Sequence, residues 1–266
     1  MPRRARRCWA VILGTAAGPG GTGAMVSSRS CDGIVVIMTT LSGAHVLVVG
    51  ATGGLGSAIS KQLAAQGVVL TLAGRSSERL TALRAELGNA VLDTATGDLA
   101  AAGVPDRLVT RAHAAQPLNG VVFAAGVVAF GDIADLDDDV LYRLFLVNLV
   151  APIRIARAAA PLLPAGGFLA NISAVVADQP MKGMAAYSAT KAGLTGFDKA
   201  AAAELRRRQI RVLDIRPTHT ETGLADHPIA GRSPRLPAGA SPEQVAARIV
   251  LAITDDERDL PSSAFG

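Results

Sequence analysis

Tyr187 and Lys191 stand four residues apart in the run Tyr187-Ser188-Ala189-Thr190-Lys191, near the start of a predicted helix. That spacing puts both on one helix face, so the ammonium can lie beside the phenol oxygen and favour phenolate. A free tyrosine ionises near pH ~10, too high for a good base at neutral pH, and a nearby cation lowers that value. The chain holds only two tyrosines and four lysines, which makes the pairing harder to produce by chance. An exposed Tyr–Lys pair without chemistry is the alternative, and it is the better reading if no cofactor site accompanies the pair.

A second group of residues supplies such a site. The apolar run His45 to Val49 ends in Gly50-Ala51-Thr52-Gly53-Gly54-Leu55-Gly56. Glycines permit a tight turn and close backbone approach to a pyrophosphate, which then sits at the positive end of the following helix. The spacing is Gly50-x3-Gly54-x-Gly56 rather than G-x-G-x-x-G, and a glycine-rich turn that binds nothing is the alternative. The second strand ends at Gly74-Arg75, where an enzyme preferring NAD would carry an acid for the ribose 2′-hydroxyl. Arg75 suits a 2′-phosphate instead, so NADP (NADPH) is expected ahead of NAD; a solvated surface arginine is the bland reading. Asp98, after the third strand, can reach the adenine edge or cap a helix.

The elements that must position these groups follow from hydropathy patterning. Short β-branched runs over residues 45–49, 68–73, 91–96, 120–125, 167–173, 211–215 and 258–261 predict strands. Helical stretches are expected over 55–66, 77–87, 106–115, 137–163 and 184–208, with a last helix opened by Ser241 and Gln244 as a capping box. Strand and helix alternate, which predicts one doubly wound Rossmann-like α/β domain: a parallel sheet of about seven strands with helices on both faces. Residues 217–240, rich in Pro, Gly and Ser, form a long loop, a length usually reserved for function or mobility.

At 266 residues with 50% hydrophobic and 18% charged content, the chain is neither disordered nor a small stapled scaffold. The net charge of +4 resides in residues 1–37, where Arg3, Arg4, Arg6, Arg7 and Arg29 outweigh Asp32, so the remainder sums to zero. A nucleic-acid partner is therefore not expected. Both cysteines, Cys8 and Cys31, also lie in that leader, leaving no thiol elsewhere for a disulfide framework or a cysteine nucleophile. The leader has the outline of a secretory signal, but its apolar run is short and dissolves into Gly18 to Gly23. It reads better as a disordered or start-site extension, with Met38 opening a catalytic domain over 38–266. The uncharged stretches 114–131 and 158–177 are broken by Pro or Gly and read as buried strands with their loops, so a cytoplasmic protein without a membrane span is expected.

With the glycine turn in place, these residues resemble the short-chain dehydrogenase/reductase family across nearly all of residues 43–262. The family's glycine turn matches Gly50, Gly54 and Gly56, its Tyr-x-x-x-Lys matches Tyr187 and Lys191, and its helix asparagine matches Asn148. The resemblance implies a hydride transfer between NADP(H) and a carbonyl or secondary alcohol. In it Tyr187 exchanges a proton with the substrate oxygen, Lys191 also binds the nicotinamide ribose, and Asn148 holds a water in the proton relay. Thr52, Gly53, Leu55 and Gly126 join the cofactor contacts, as do Pro217, Thr220 and Thr222 of the post-strand stretch, where Thr218 replaces the family's glycine. A homo-dimer or homo-tetramer is implied as well.

Two departures stand out. Phe123-Ala124-Ala125-Gly126 replaces the family's Asn-Asn-Ala-Gly, keeping only the close-approach glycine. The family's catalytic serine position is Ala174, with Ser173 one residue earlier. Neighbouring strand side chains point to opposite faces, so Ser173 takes the catalytic role only if the strand end bends or bulges; otherwise its hydroxyl bonds to nearby backbone. His219 and His227 can contact a polar substrate or be exposed loop residues. Phe130, Met181 and Met184 can line an apolar pocket or simply pack. Asp135 and Asp137 to Asp139 suit a helix start better than a metal. Two rival classes remain. A dinucleotide-binding sensor with little catalysis is motivated by Ala174. A methyltransferase also uses a glycine turn but has no use for Tyr187 and Lys191.

Overall fold

Five consecutive buried residues, His45–Val49, form an inner strand. The computed structural model describes residues 10–11, 26–31, 34–39 and 41–266. Strands β1 (Ala10–Val11), β2 (Val26–Cys31) and β3 (Ile34–Thr39) pair antiparallel in a sheet of their own. The rest of the expected leader, Cys8 and the basic start included, lies outside the described residues. The main sheet comprises β4 (His45–Val49), β5 (Val69–Gly74), β6 (Val91–Thr96), β7 (Gly120–Phe123), β8 (Phe168–Ile172), β9 (Arg211–Ile215) and β10 (Asp259–Leu260). Its order is β10-β9-β8-β7-β4-β5-β6, with every pairing parallel.

The strands are buried on both faces and alternate between two cores, as a period of two requires. Val46, Val48, Leu70, Leu72 and Val122 point to one side, where α1 (Gly54–Ala65), α2 (Ser77–Leu87) and α7 (Pro242–Thr254) pack. Leu47, Val49, Val121 and Phe123 point to the other, against α3 (Val104–Ala115), α5 (Ala151–Ala159) and α6 (Ala185–Leu205). The sheet order reverses between β4 and β7, and a doubly wound sheet opens its ligand crevice at the carboxyl ends of such a pair. The glycine turn and Gly126 follow those two strands.

The helix expected over 137–163 is not continuous. α4 (Asp138–Phe145) passes into a π turn, Leu146–Val150, before α5 begins. Asp137 caps α4, accepting from the Asp139 and Val140 amides at 2.8 and 3.2 Å, which accounts for the acidic run. The capping box at Ser241 and Gln244 forms as expected. No helix among the described residues is long and apolar enough to cross a membrane.

Candidate active site

A cavity of about 720 Å³ runs along the crevice and brings the glycine turn, Arg75, Asp98, Gly126, Tyr187 and Lys191 to one wall system. Its floor is shaped by atoms that are missing. Gly50 has φ +84°, and a Cβ there would lie 2.6 Å from the Ala125 nitrogen; at Gly54 it would lie 2.9 Å from Thr222 Cα. At Gly56 it would lie 2.1 Å from the Gly50 carbonyl oxygen, so the helix can start against the turn only with glycine there. The cradle left over these glycines fits a pyrophosphate beside the first turn of α1. Thr52, Gly53, Leu55, Pro217, Thr220 and Thr222 also border the cavity.

At the far end, Arg75 is joined by Arg79, whose guanidinium donates to the Thr52 carbonyl at 2.6 Å. Ser76 caps α2 between them. The four-residue spacing of Arg75 and Arg79 at this junction is itself a sequence signal for a cationic pair. Asp98 borders the cavity but caps no helix, since Gly103 stands at the N-cap of α3. One carboxylate oxygen accepts from the Ala100 amide at 3.1 Å, the other from Arg143 of α4 at 2.9 Å, and the Arg143 bond holds its carboxyl below the usual aspartate range. Arg143, which the sequence did not single out, therefore ties α4 to the mouth of this end.

At the other end, Tyr187 and Lys191 occupy one face of α6 and are almost fully buried. The ammonium nitrogen lies 5.9 Å from the phenol ring centroid and donates to the Ile172 carbonyl at 2.9 Å. The expected lowering of the phenol's ionisation is overturned: burial pushes Tyr187 well above the ordinary tyrosine range, with Lys191 not among the causes. Burial also lowers Lys191 to about 8, while buried Asp214 and Asp198 act in the opposite sense. Asn148 sits in the π turn, a widened helix segment common at functional sites. Its amide nitrogen donates to the Val127 carbonyl and the Thr190 hydroxyl at 2.8 and 3.3 Å, and its oxygen accepts from the Val127 amide at 2.9 Å. Both amide protons are thus in use, and one oxygen lone pair remains for a water. Gly126 lies against this group, a Cβ there falling 3.4 Å from Asn148 Oδ1.

β8 stops at Ile172, before Ser173, and the Ser173 hydroxyl donates to the Lys191 carbonyl at 3.0 Å while Thr195 donates to it at 3.3 Å. Helix backbone occupies the group, the second of the two roles open to it from sequence. Ser173 and Ala174 both border the cavity. Beyond lies Arg216, buried and paired with Asp214, with Asp178 at 2.7 Å and with Asp259 at 2.7 Å. This cluster anchors the start of the 217–240 loop to β10 and to the turn after β8.

The chain belongs to the short-chain dehydrogenase family, whose sequence pattern it matches over residues 44–231. It is 32% identical over 237 residues to an uncharacterized oxidoreductase of Methylorubrum extorquens, covering 83% of this chain and 94% of that protein. It is 30% identical over 220 residues to a cyclic-di-GMP-binding biofilm dispersal mediator protein of Escherichia coli, covering 80% and 90% of the two chains. Among solved structures, a short chain dehydrogenase from Burkholderia cenocepacia in complex with NADP superposes with TM-score 0.76 at 27% identity, covering 85% of this chain and 98% of that one. The protein is accordingly an oxidoreductase of this family with a Rossmann-like fold.

Proposed function

We propose that residues 38–266 form an NADP(H)-dependent enzyme that moves a hydride between the nicotinamide and a carbonyl or secondary alcohol, with Tyr187 as the acid/base. The observation that carries the reading is the convergence of Tyr187 and Lys191 on the same cavity as the glycine cradle and the paired arginines, with Asn148 buried behind them on Val127 and Thr190. When bound, the cofactor supplies the hydride. Gly50, Gly54 and Gly56 would admit its pyrophosphate, and Arg75 with Arg79 would hold the 2′-phosphate. The NADP bound to the Burkholderia cenocepacia relative supports that choice over NAD.

In the reductive direction, the Tyr187 hydroxyl donates its proton to the oxygen of the forming alkoxide. Burial keeps the phenol protonated at neutral pH, as a proton donor must be. Lys191, lowered to about 8, titrates close to neutral pH and is suited to passing a proton toward the phenol. Asn148 offers its oxygen to a water in that relay. The same reading takes the protein as a cytoplasmic homo-dimer or homo-tetramer.

Ala174 leaves the substrate carbonyl without the hydroxyl that the family places beside its tyrosine. Ala174→Ser is therefore expected to raise kcat by about tenfold, since a donor aimed at a developing oxyanion is among the larger catalytic effects. Ser173→Ala is expected to leave kcat within about twofold and to cost ~1 kcal/mol of stability, read by steady-state kinetics and urea unfolding. A large loss of kcat in Ser173→Ala would instead place its hydroxyl in the reaction. The missing hydroxyl also favours a second reading, a dinucleotide-binding protein with little catalysis. Tight NADPH binding without turnover on any member of a ketone panel supports that reading, and turnover rejects it.

A further inference from the structure

The same cavity carries two imidazoles, His219 and His227, both from the 217–240 loop. Their neighbours determine which ring nitrogen bears a proton. His227 Nδ1 lies 2.9 Å from the Gly223 carbonyl oxygen, which can only accept, so Nδ1 donates. His219 Nε2 lies 3.4 Å from Glu221 Oε1, a carboxylate oxygen that can only accept, which favours the tautomer with its proton on Nε2. In the neutral ring, the remaining nitrogen is a bare acceptor: Nε2 of His227 and Nδ1 of His219. Neither meets a protein hydrogen-bond partner among the described residues.

His219 is held in a built seat. Glu221 Oε1 also accepts the Gly239 amide at 2.7 Å. The Glu221 amide donates to the Ala240 carbonyl at 3.0 Å, and the Ala240 amide donates to the His219 carbonyl at 2.9 Å. A Cβ on Gly239 would lie 2.8 Å from His219 Cδ2, so the ring keeps this place only against glycine. The loop is strapped to the segment after β7 as well, the Ile229 amide donating to the Val128 carbonyl at 2.8 Å and the Phe130 amide to the Ala230 carbonyl at 3.0 Å. The cavity wall that holds the two imidazoles and Thr218, Thr220 and Thr222 is otherwise rich in apolar side chains: Phe130, Val176 and Met184 are buried, while Met181, Leu224 and Ile229 keep 42%, 37% and 37% of their surface open. That combination matches an apolar ligand body with a hydrogen-bond donor on it.

We infer that His219 and His227 determine specificity, and that the substrate is an apolar ketone, or its alcohol, bearing a second hydroxyl away from the reacting carbon that donates to an imidazole nitrogen. The inference rests on the carbonyl reading of this cavity. A site that bonds a substrate hydroxyl discriminates strongly against the analogue lacking it, and less so where the groups are partly open to water, as here.

The test uses the full chain saturated with NADP⁺, with which a ketone cannot be reduced, titrated calorimetrically with benzylacetone and with its para-hydroxyl derivative. The hydroxylated ketone is expected to bind about tenfold tighter. In His219→Phe or His227→Phe that preference is expected to fall to about twofold or less, while benzylacetone binds at least as well as before; its retained binding reports an intact fold and pocket. Equal or undetectable binding of the two ketones by the wild-type protein overturns the inference, as does a preference that persists in both variants. Turnover of the same ketones with NADPH is measured separately. Absence of turnover with the binding preference intact contradicts the oxidoreductase reading and leaves the hydroxyl recognition standing.

Discussion

Tyr187→Phe is expected to lower the rate of ketone reduction by about 10³-fold while NADPH affinity changes by less than about threefold. The size follows from what a positioned general acid contributes to a proton transfer, about 10² to 10⁴ in rate. Phenylalanine keeps the ring that packs with Val128, Leu144, Val147 and Met184, so the pocket wall survives and only the hydroxyl is lost. Single-turnover oxidation of NADPH with saturating ketone reads the chemical step apart from binding, and fluorescence titration of NADPH reads the cofactor site. Rates within tenfold of wild type would remove Tyr187 from the reaction. Equal loss of rate and NADPH affinity would make the residue a structural support for the cofactor.

The second large effect lies at the opposite end of the cavity. Arg75→Asp replaces a guanidinium fork by a carboxylate facing the 2′-phosphate, so attraction becomes repulsion. The dissociation constant for NADPH is expected to rise by about 100-fold, equivalent to ~2.7 kcal/mol, and that for NADH by less than about threefold. Arg79 remains on the Thr52 carbonyl and limits the loss. An equal loss for both cofactors would mean that the substitution disturbs the β5–α2 junction and that Arg75 does not read the phosphate.

How much of this was legible depended on the range of the interactions involved. The strands His45–Val49, Val91–Thr96 and Arg211–Ile215 and the helix Ser77–Leu87 have the bounds that hydropathy and capping residues predict, because local signals decide them. The glycine turn was readable for a related reason: Gly50, Gly54 and Gly56 advertise positions where a side chain has no room. The π turn around Asn148 was not, since the apolar pattern runs through it and only Pro152 marks a disturbance. Ser173 was ambiguous because its role turns on where β8 ends by a single residue, and the deciding partners, Lys191 and Thr195, lie on α6. The ionisation of Tyr187 was misjudged for a deeper reason. Sequence spacing shows that Lys191 shares its helix face, but burial is a tertiary quantity, and here it alone raises the phenol. The seat of His219 was likewise invisible, being built from single backbone bridges between residues some twenty positions apart.

The central proposed step is hydride transfer to a carbonyl carbon in this cavity. Incubating the protein with NADPH deuterated at the transferable position and a panel of apolar ketones, then analysing the products by mass spectrometry, tests it. The expected product is an alcohol carrying one deuterium on the carbinol carbon, formed by the wild-type protein and reduced to background in Tyr187→Phe. Alcohol without label, or no alcohol from any ketone under conditions where NADPH is bound, would contradict it.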